Sequence, residues 1–219
     1  MIKNIIFDFD GVIVDSEIIA LKAFTSYLTS KGHKVQEEDF YTYAGMKTLQ
    51  VIDILTEKYQ INQKDQFSRD IFLLVSQVYS NDLKLVNGFQ NFISYSKRNH
   101  FIGSNSNKDR IIEGLKTVGI SNEFSENTIY SFDMVKNPKP DPDIYLKVIN
   151  DNNLVSEETI IIEDSAIGVK AGFEAGVKVL GLTAGKHWYI NRDKNELYTN
   201  GASNVFDSYE NLSKVIEEL

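Results

Sequence analysis

Ile5-Ile6-Phe7-Asp8-Phe9-Asp10-Gly11-Val12 is the stretch from which the rest of the chain can be read. An apolar run ends in two aspartates two residues apart. In a strand, side chains at i and i+2 point to the same side, so Asp8 and Asp10 are expected to project together. Open α/β sheets bind their ligands at the carboxyl ends of such strands. Two carboxylates that close repel one another unless a cation or a shared proton relieves them. The pair thus suggests a divalent metal with a nucleophile and an acid/base beside it. Gly11 would allow the sharp backbone exit such a site needs. The plainer alternative is a strand end with two solvated acids, or a helix cap.

Residues after this strand follow a helical period. Leu21, Phe24 and Leu28 recur at i, i+3 and i+7, with Gly32 as a stop. Val51, Ile54 and Leu55 mark a second helix, with Thr48 as its cap, and Phe67, Ile71, Leu74 and Val78 mark a third. Strands and helices alternate from Gly88 onward. Strands are expected at Phe101–Gly103, Thr128–Ser131, Thr159–Ile162 and Val177–Leu182. Helices are expected at Phe89–Lys97, around Ile111–Val118, around Ile144–Val148, at Ala166–Ala175 and at Tyr209–Leu219. Alternation of this kind implies a parallel sheet with helices on both faces. The fold class is therefore α/β, a doubly wound parallel sheet interrupted by an inserted helical subdomain. Residues 1–15 and 86–219 would form the α/β core and 16–85 the insert.

Three further stretches carry possible chemistry. Ser104 and Asn105, in Gly103-Ser104-Asn105-Ser106-Asn107, lie where a strand enters a helix. A hydroxyl and main-chain N–H groups there can bind phosphate, although a simple helix cap uses the same residue types. All three prolines fall in Asn137-Pro138-Lys139-Pro140-Asp141-Pro142, which holds Lys139 on a stiff segment. Asp141-Pro142 reads as the N-cap and first residue of the next helix. A solvated loop lysine is the alternative. Glu163 and Asp164 close Thr159-Ile160-Ile161-Ile162, again as acids at a strand end, and carboxylate oxygens of this kind suit Mg²⁺. A parallel sheet would gather all these positions along one edge.

Composition sets bounds on the reading. A chain of 219 residues can hold one core plus a small appended domain, and 42% hydrophobic with 25% charged residues is ordinary for a globular protein. A net charge of −8 argues against a general binder of nucleic acid or anionic membranes. It leaves room for an anionic substrate, because a metal and a few placed cations reverse the local field. No cysteine is present, so disulfides, thiolate metal sites and a thiol nucleophile are excluded. The first residues lack a signal-peptide pattern, and no run approaches the ~18 apolar residues of a membrane span. A soluble, cytoplasmic protein is expected, as a monomer or weak dimer, with a small metabolite as its partner and neither nucleic acid nor membrane.

Asp8-Phe9-Asp10-Gly11-Val12, Ser104, Lys139 and Glu163-Asp164 together resemble the four ordered motifs of the haloacid dehalogenase-like hydrolases. The helical insert just after the first motif resembles the subgroup with a small helical cap, which includes β-phosphoglucomutase and sugar-phosphate phosphatases. The resemblance implies a Rossmann-like core and a catalytic Asp8 that attacks phosphorus and becomes an aspartyl phosphate. It implies Asp10 as acid and base, and Ser104, Asn105 and Lys139 as phosphate-binding residues. Mg²⁺ would be held by Asp8, the Asp10 carbonyl and Asp164, with Glu163 bound directly or acting behind these ligands. Glu17 and Lys47 of the insert are the implied readers of substrate.

The activity so implied is a Mg²⁺-dependent phosphatase of small phosphorylated metabolites such as sugar phosphates or phosphogluconate-like acids. The alternative is a β-phosphoglucomutase-like mutase. Such mutases usually carry Thr after the hinge acid and His four residues later, where this chain has Ser16 and Ala20. Val12, where many phosphatases have Thr, leans toward the mutase. A receiver domain would need its phosphorylated Asp at the end of a middle strand soon after the first, where residues 16–85 offer helices. A silent binding protein is disfavoured because each motif position keeps a competent residue.

Overall fold

The computed structural model describes every residue except 44, 45, 47 and 189–191. The chain divides into two compact units, Met1–Asp15 with Lys84–Leu219 and Ser16–Leu83.

The first unit contains a six-stranded, all-parallel sheet in the order β3-β2-β1-β4-β5-β6. Its strands are β1 (Asn4–Phe7), β2 (Asn99–Ser104), β3 (Ile129–Ser131), β4 (Thr159–Glu163), β5 (Lys178–Leu182) and β6 (Asn204–Phe206). Strand β1 is central and Phe7 pairs with both Ile102 and Ile162. The chain leaves β1 toward β2 and β3 on one side and later returns to β4 on the other. That reversal opens a crevice at the carboxyl ends of β1, β2 and β4. Strands buried on both faces are apolar without alternation, as in Thr159-Ile160-Ile161-Ile162, where every residue is buried.

Four helices of this unit follow strands or precede them at the expected places: α4 (Phe89–Tyr95), α5 (Lys108–Thr117), α6 (Asp143–Asp151) and α7 (Ala166–Glu174). Helix α9 (Tyr209–Glu218) closes the chain. Buried Ile6, Ile144, Tyr145, Val148, Ile161 and Val169 belong to one core cluster. Phe7 meets Phe89, Phe92 and Phe124 edge-on, with ring centroids 5.6, 6.0 and 6.2 Å away.

The second unit is helical, with α1 (Ile19–Ser30), α2 (Thr48–Lys58) and α3 (Lys64–Asp82). Its own core contains Leu21, Phe24, Leu28, Val51, Leu55 and Phe67. Ile54, expected on the inner face of α2, is instead exposed and Ile52 is buried. The buried set 51, 52 and 55 is an equally good stripe at helical spacing, and packing against the other helices selected it. Thr48 is the first helical residue rather than a cap flanking the helix.

Other boundaries also differ from expectation. Strand β1 ends at Phe7, one residue before the aspartates, although the Asp8 N–H still donates to the Ile162 carbonyl at 3.0 Å. Pro142 is the N-cap of α6 and Asp141 lies outside the helix. Helix α8 (Asn195–Thr199) and strand β6 were not expected. Strand β6 pairs with β5 at the end of the sheet order and is only partly buried, so it has neither an apolar run nor clean alternation. Among the described residues no helix is long and apolar enough to cross a membrane.

Candidate active site

The turn after β1 is tight. Gly11 donates its N–H to the Val14 carbonyl and Val14 donates back to Phe9, while Phe9 is fully buried. Gly11 has φ +81°, and a Cβ there would lie 2.0 Å from Asp164 Oδ2. Only glycine meets both demands. The turn gives the two aspartates different surroundings. Asp8 is buried and faces the end of β4, whereas the half-buried Asp10 faces the start of α5.

Lys139 is the hub of the site. Its side chain is 2% exposed, and Nζ lies 2.6 Å from Asp8 Oδ1 and 2.7 Å from Glu163 Oε1. The proline-rich segment is held by its flanks. The Lys139 N–H donates to Asn105 Oδ1 at 2.9 Å and the Asn105 amide donates back to the Lys139 carbonyl at 3.0 Å. Asn137 donates its main-chain N–H to Asp143 Oδ2 at 3.1 Å. The Asn105 side chain is thus committed to Lys139, and any contact it makes with phosphate would fall to its main-chain N–H.

Glu163 ends β4 fully buried. Its Oε1 accepts from Lys139 and from the Tyr145 hydroxyl at 2.9 Å. Its Oε2 accepts from the Asp164 and Ser165 N–H groups and from the Ser165 hydroxyl, at 2.9, 3.0 and 3.0 Å. Such a saturated carboxylate is suited to holding Lys139 in place. It packs so closely on α7 that a Cβ at Gly168 would be 1.6 Å from Oε1.

Asp8, Glu163 and Asp164 offer carboxylate oxygens within 4.8 Å of one another, all from buried residues. Burial pushes the Asp8 carboxyl well above its usual range; Lys139 opposes this, and Glu163 and Asp164 add to it. Asp164 is likewise pushed well up, by burial and by Glu163, against the opposing charges of Arg192 and Lys139. Burial disfavours the Lys139 ammonium, but Asp8 and Glu163 outweigh it and its pKa is raised. Three carboxyls thus face a single ammonium, so ionising all of them calls for a further cation. An all-oxygen, anionic, buried set of this kind fits a hard divalent cation such as Mg²⁺.

Asp10 stands apart from that cluster. Its carboxylate accepts from the Ser106 hydroxyl and from Arg110 Nη2 at 3.1 Å. Only its main-chain carbonyl was expected toward a metal, and its side chain is not among the three clustered carboxylates. Ser104, the last residue of β2, is buried, and its hydroxyl accepts the Ser106 N–H at 3.0 Å. Helix α5 is capped by Asn107, not Ser104, so the Ser104 hydroxyl is not consumed as the cap. Glu17 belongs to the helical unit and is half-buried, and Lys47 lies outside the described residues.

Several partners were not foreseen. Arg110 has no signal in the sequence reading, Tyr145 has only the periodicity of its helix, and Ser106 stands in the quoted stretch without a role. His187, two residues after Gly185, places Nε2 2.8 Å from Asp164 Oδ2. A polar residue in the loop after an apolar strand was the only signal for it. Trp188 packs partly buried on the core of the sheet unit, with the Arg192 guanidinium 4.1 Å above its ring.

Comparison with known proteins adds to this geometry. The model of the family described as "Haloacid dehalogenase-like hydrolase" matches residues 5–182. The chain is 28% identical to a phosphorylated carbohydrates phosphatase of Thermotoga maritima, over 80% of this chain and 82% of that one. It is 23% identical to the 6-phosphogluconate phosphatase of Escherichia coli, covering 85% of each. Among solved structures, a Thermotoga maritima protein provisionally named a beta-phosphoglucomutase superposes with a TM-score of 0.84 at 26% identity, covering 100% of both chains.

Proposed function

The chain belongs to the haloacid dehalogenase-like hydrolase family, and on that premise we propose that it is a Mg²⁺-dependent phosphatase of small phosphorylated metabolites, acting through an aspartyl phosphate. The observation that supports this most is the buried cluster in which Lys139 bridges Asp8 and Glu163 beside Asp164. The phosphatase names of the two curated relatives point to sugar phosphates or phosphogluconate-like acids as the substrate class.

In this reading Asp8 attacks phosphorus, forming an Oδ–P bond as the bond to the leaving oxygen breaks. Asp10 gives the leaving oxygen its proton and later takes one from the water that cleaves the aspartyl phosphate. Because Ser106 and Arg110 hold both of its oxygens, presenting that proton requires exchange of one contact. Lys139 and the Ser104 hydroxyl hold phosphoryl oxygens, Asn105 keeps Lys139 in register, and Glu163 anchors its ammonium. Asp8, the Asp10 carbonyl and Asp164 would hold Mg²⁺, which when bound offsets the charge that Asp8 and the phosphoryl group bring together. Phosphoryl transfer needs mainly positioning and charge stabilisation, which such a set supplies. Glu17 and Lys47 remain the proposed substrate readers of the inserted unit.

A β-phosphoglucomutase-like reaction is the second reading, supported by the likeness to the Thermotoga structure. It would use the same aspartyl phosphate but return the group to another hydroxyl of a sugar bisphosphate. Phosphate release with Mg²⁺ across sugar phosphates, phosphogluconates and polyol phosphates, run beside β-glucose 1-phosphate isomerisation, separates the two. Hydrolysis of one class supports the phosphatase and names its substrate. Isomerisation primed by a bisphosphate, with little free phosphate, would replace it with the mutase.

A further inference from the structure

We propose that His187 is a positioning residue for Asp164 and that it sets the affinity of the site for its divalent cation. The inference rests on the reading of Asp164 as a metal ligand. His187 is 3% exposed and its Nε2 lies 2.8 Å from Asp164 Oδ2. As a metal ligand Asp164 is ionised and offers acceptors only, so in that state Nε2 is the nitrogen that carries the proton.

The loop that delivers the ring is tied down at several points. Thr183 donates its N–H to the Phe206 carbonyl at 2.7 Å, and Trp188 donates to the Gly185 carbonyl at 3.0 Å. The Lys186 N–H donates to Oδ1 of buried Asp15 at 3.0 Å. The imidazole is wedged between two glycines. A Cβ at Gly185 would lie 2.7 Å from His187 Cε1, and one at Gly11 would lie 2.9 Å from the same atom. Gly11 also backs directly onto Asp164 Oδ2. One oxygen of Asp164 is therefore packed against the Gly11 turn and bonded to a ring that itself packs against Gly11 and Gly185.

The physical effect is preorganisation. The bond from His187 fixes the rotation of the Asp164 carboxylate before the cation arrives, and without it that ordering would have to accompany binding. Hydrogen bonds behind a metal ligand typically change affinity by about 10–100-fold when lost. His187 acts on the reaction through Asp164.

The test is Mn²⁺ binding to the full chain, followed by the electron paramagnetic resonance signal of free Mn²⁺, with Mg²⁺ as competitor. Wild type, Asp164→Asn, His187→Phe and His187→Gln are compared. Phenylalanine keeps a ring without a donor, and should raise Kd about 10–100-fold. Glutamine can place an N–H near the position of Nε2 and should bind much closer to wild type. His187→Asn, too short to reach Oδ2, gives the same expected loss if phenylalanine is too bulky to fold. Turnover should follow, with a raised Mg²⁺ requirement and a kcat that recovers at saturating Mg²⁺. A merely structural histidine would lower Tm in both replacements and leave Kd unchanged. Wild-type Kd in His187→Phe or His187→Asn overturns the proposal while the metal site stands. Failure of wild type to bind, or wild-type binding by Asp164→Asn, removes the metal reading itself and this inference with it.

Discussion

Replacing Lys139 by methionine tests the central electrostatic argument, because it keeps most of the buried stem and removes only the charge. The Lys139 side chain is 2% exposed, and its two partners are 11% and 0% exposed. At contacts of 2.6 and 2.7 Å and an effective dielectric of ~20, each attraction is about 6 kcal/mol before desolvation is subtracted. The net cost of deleting one partner of such a buried pair is about 3–5 kcal/mol, because the remaining charges are left uncompensated. For a chain of this size that corresponds to a fall in Tm of roughly 6–20 °C at neutral pH. Asp8, already pushed up by burial, Glu163 and Asp164, would lose an opposing charge and rise further. A protonated Asp8 is a poor nucleophile, so kcat should fall by at least about 10²–10³-fold.

The loss of stability has a definite pH dependence. Carboxyls whose folded pKa is raised make the folded state bind more protons than the unfolded state, so stability falls as pH rises. Lys139→Met should therefore recover much of its Tm deficit as pH is lowered from neutral toward the unfolded carboxyl value of about 4. Thermal denaturation from pH 5 to 8, beside phosphate release, reads both effects. Wild-type turnover would refute the role of the lysine in the site. A Tm deficit independent of pH would refute the charge argument and leave only lost packing.

Asp8→Asn should abolish turnover, by about 10⁴-fold or more, while near-ultraviolet circular dichroism stays that of the folded protein; retained hydrolysis would end the aspartyl phosphate reading. In wild type without metal, Asp8 and Asp164 are both raised, so stability should decline as pH rises above the unfolded carboxyl value. Mg²⁺ should raise Tm more at pH 8 than at pH 5, and an equal shift at both would contradict the ligand set. Gly168→Ala would set a Cβ 1.6 Å from Glu163 Oε1, displacing the anchor of Lys139. It should cost about 1–3 kcal/mol as an overpacked site and lower kcat, and an unchanged enzyme would show that Glu163 can move without consequence.

The amino-acid pattern was enough for much of the scaffold. Buried parallel strands read as near-continuous apolar runs, so β1, β4 and, apart from exposed Lys178, β5 stood out, and an acid directly after such a run is costly without a purpose. Ile5-Ile6-Phe7 before Asp8 and Ile160-Ile161-Ile162 before Glu163 carried that signal. The partly buried edge strand β6 has no such requirement and was silent. The inner face of α2 was also ambiguous, since Ile52 and Ile54 both sit next to a valid stripe, and only the neighbouring helices chose between them.

Local pattern therefore determined the strand-and-helix alternation, the inserted helical block and the acids, hydroxyl and lysine offered at the strand ends. Only the tertiary structure decided how they are joined. Asp8 and Lys139 are 131 positions apart and Lys139 and Glu163 are 24 apart, yet they share one buried ammonium. Arg110 on Asp10, Tyr145 on Glu163 and His187 on Asp164 lie outside any run or spacing that marks their partners. Periodicity reports which side of an element is buried, because that preference acts residue by residue. The pairing of two distant side chains depends on strand order and loop path, which arise only when the whole sheet forms.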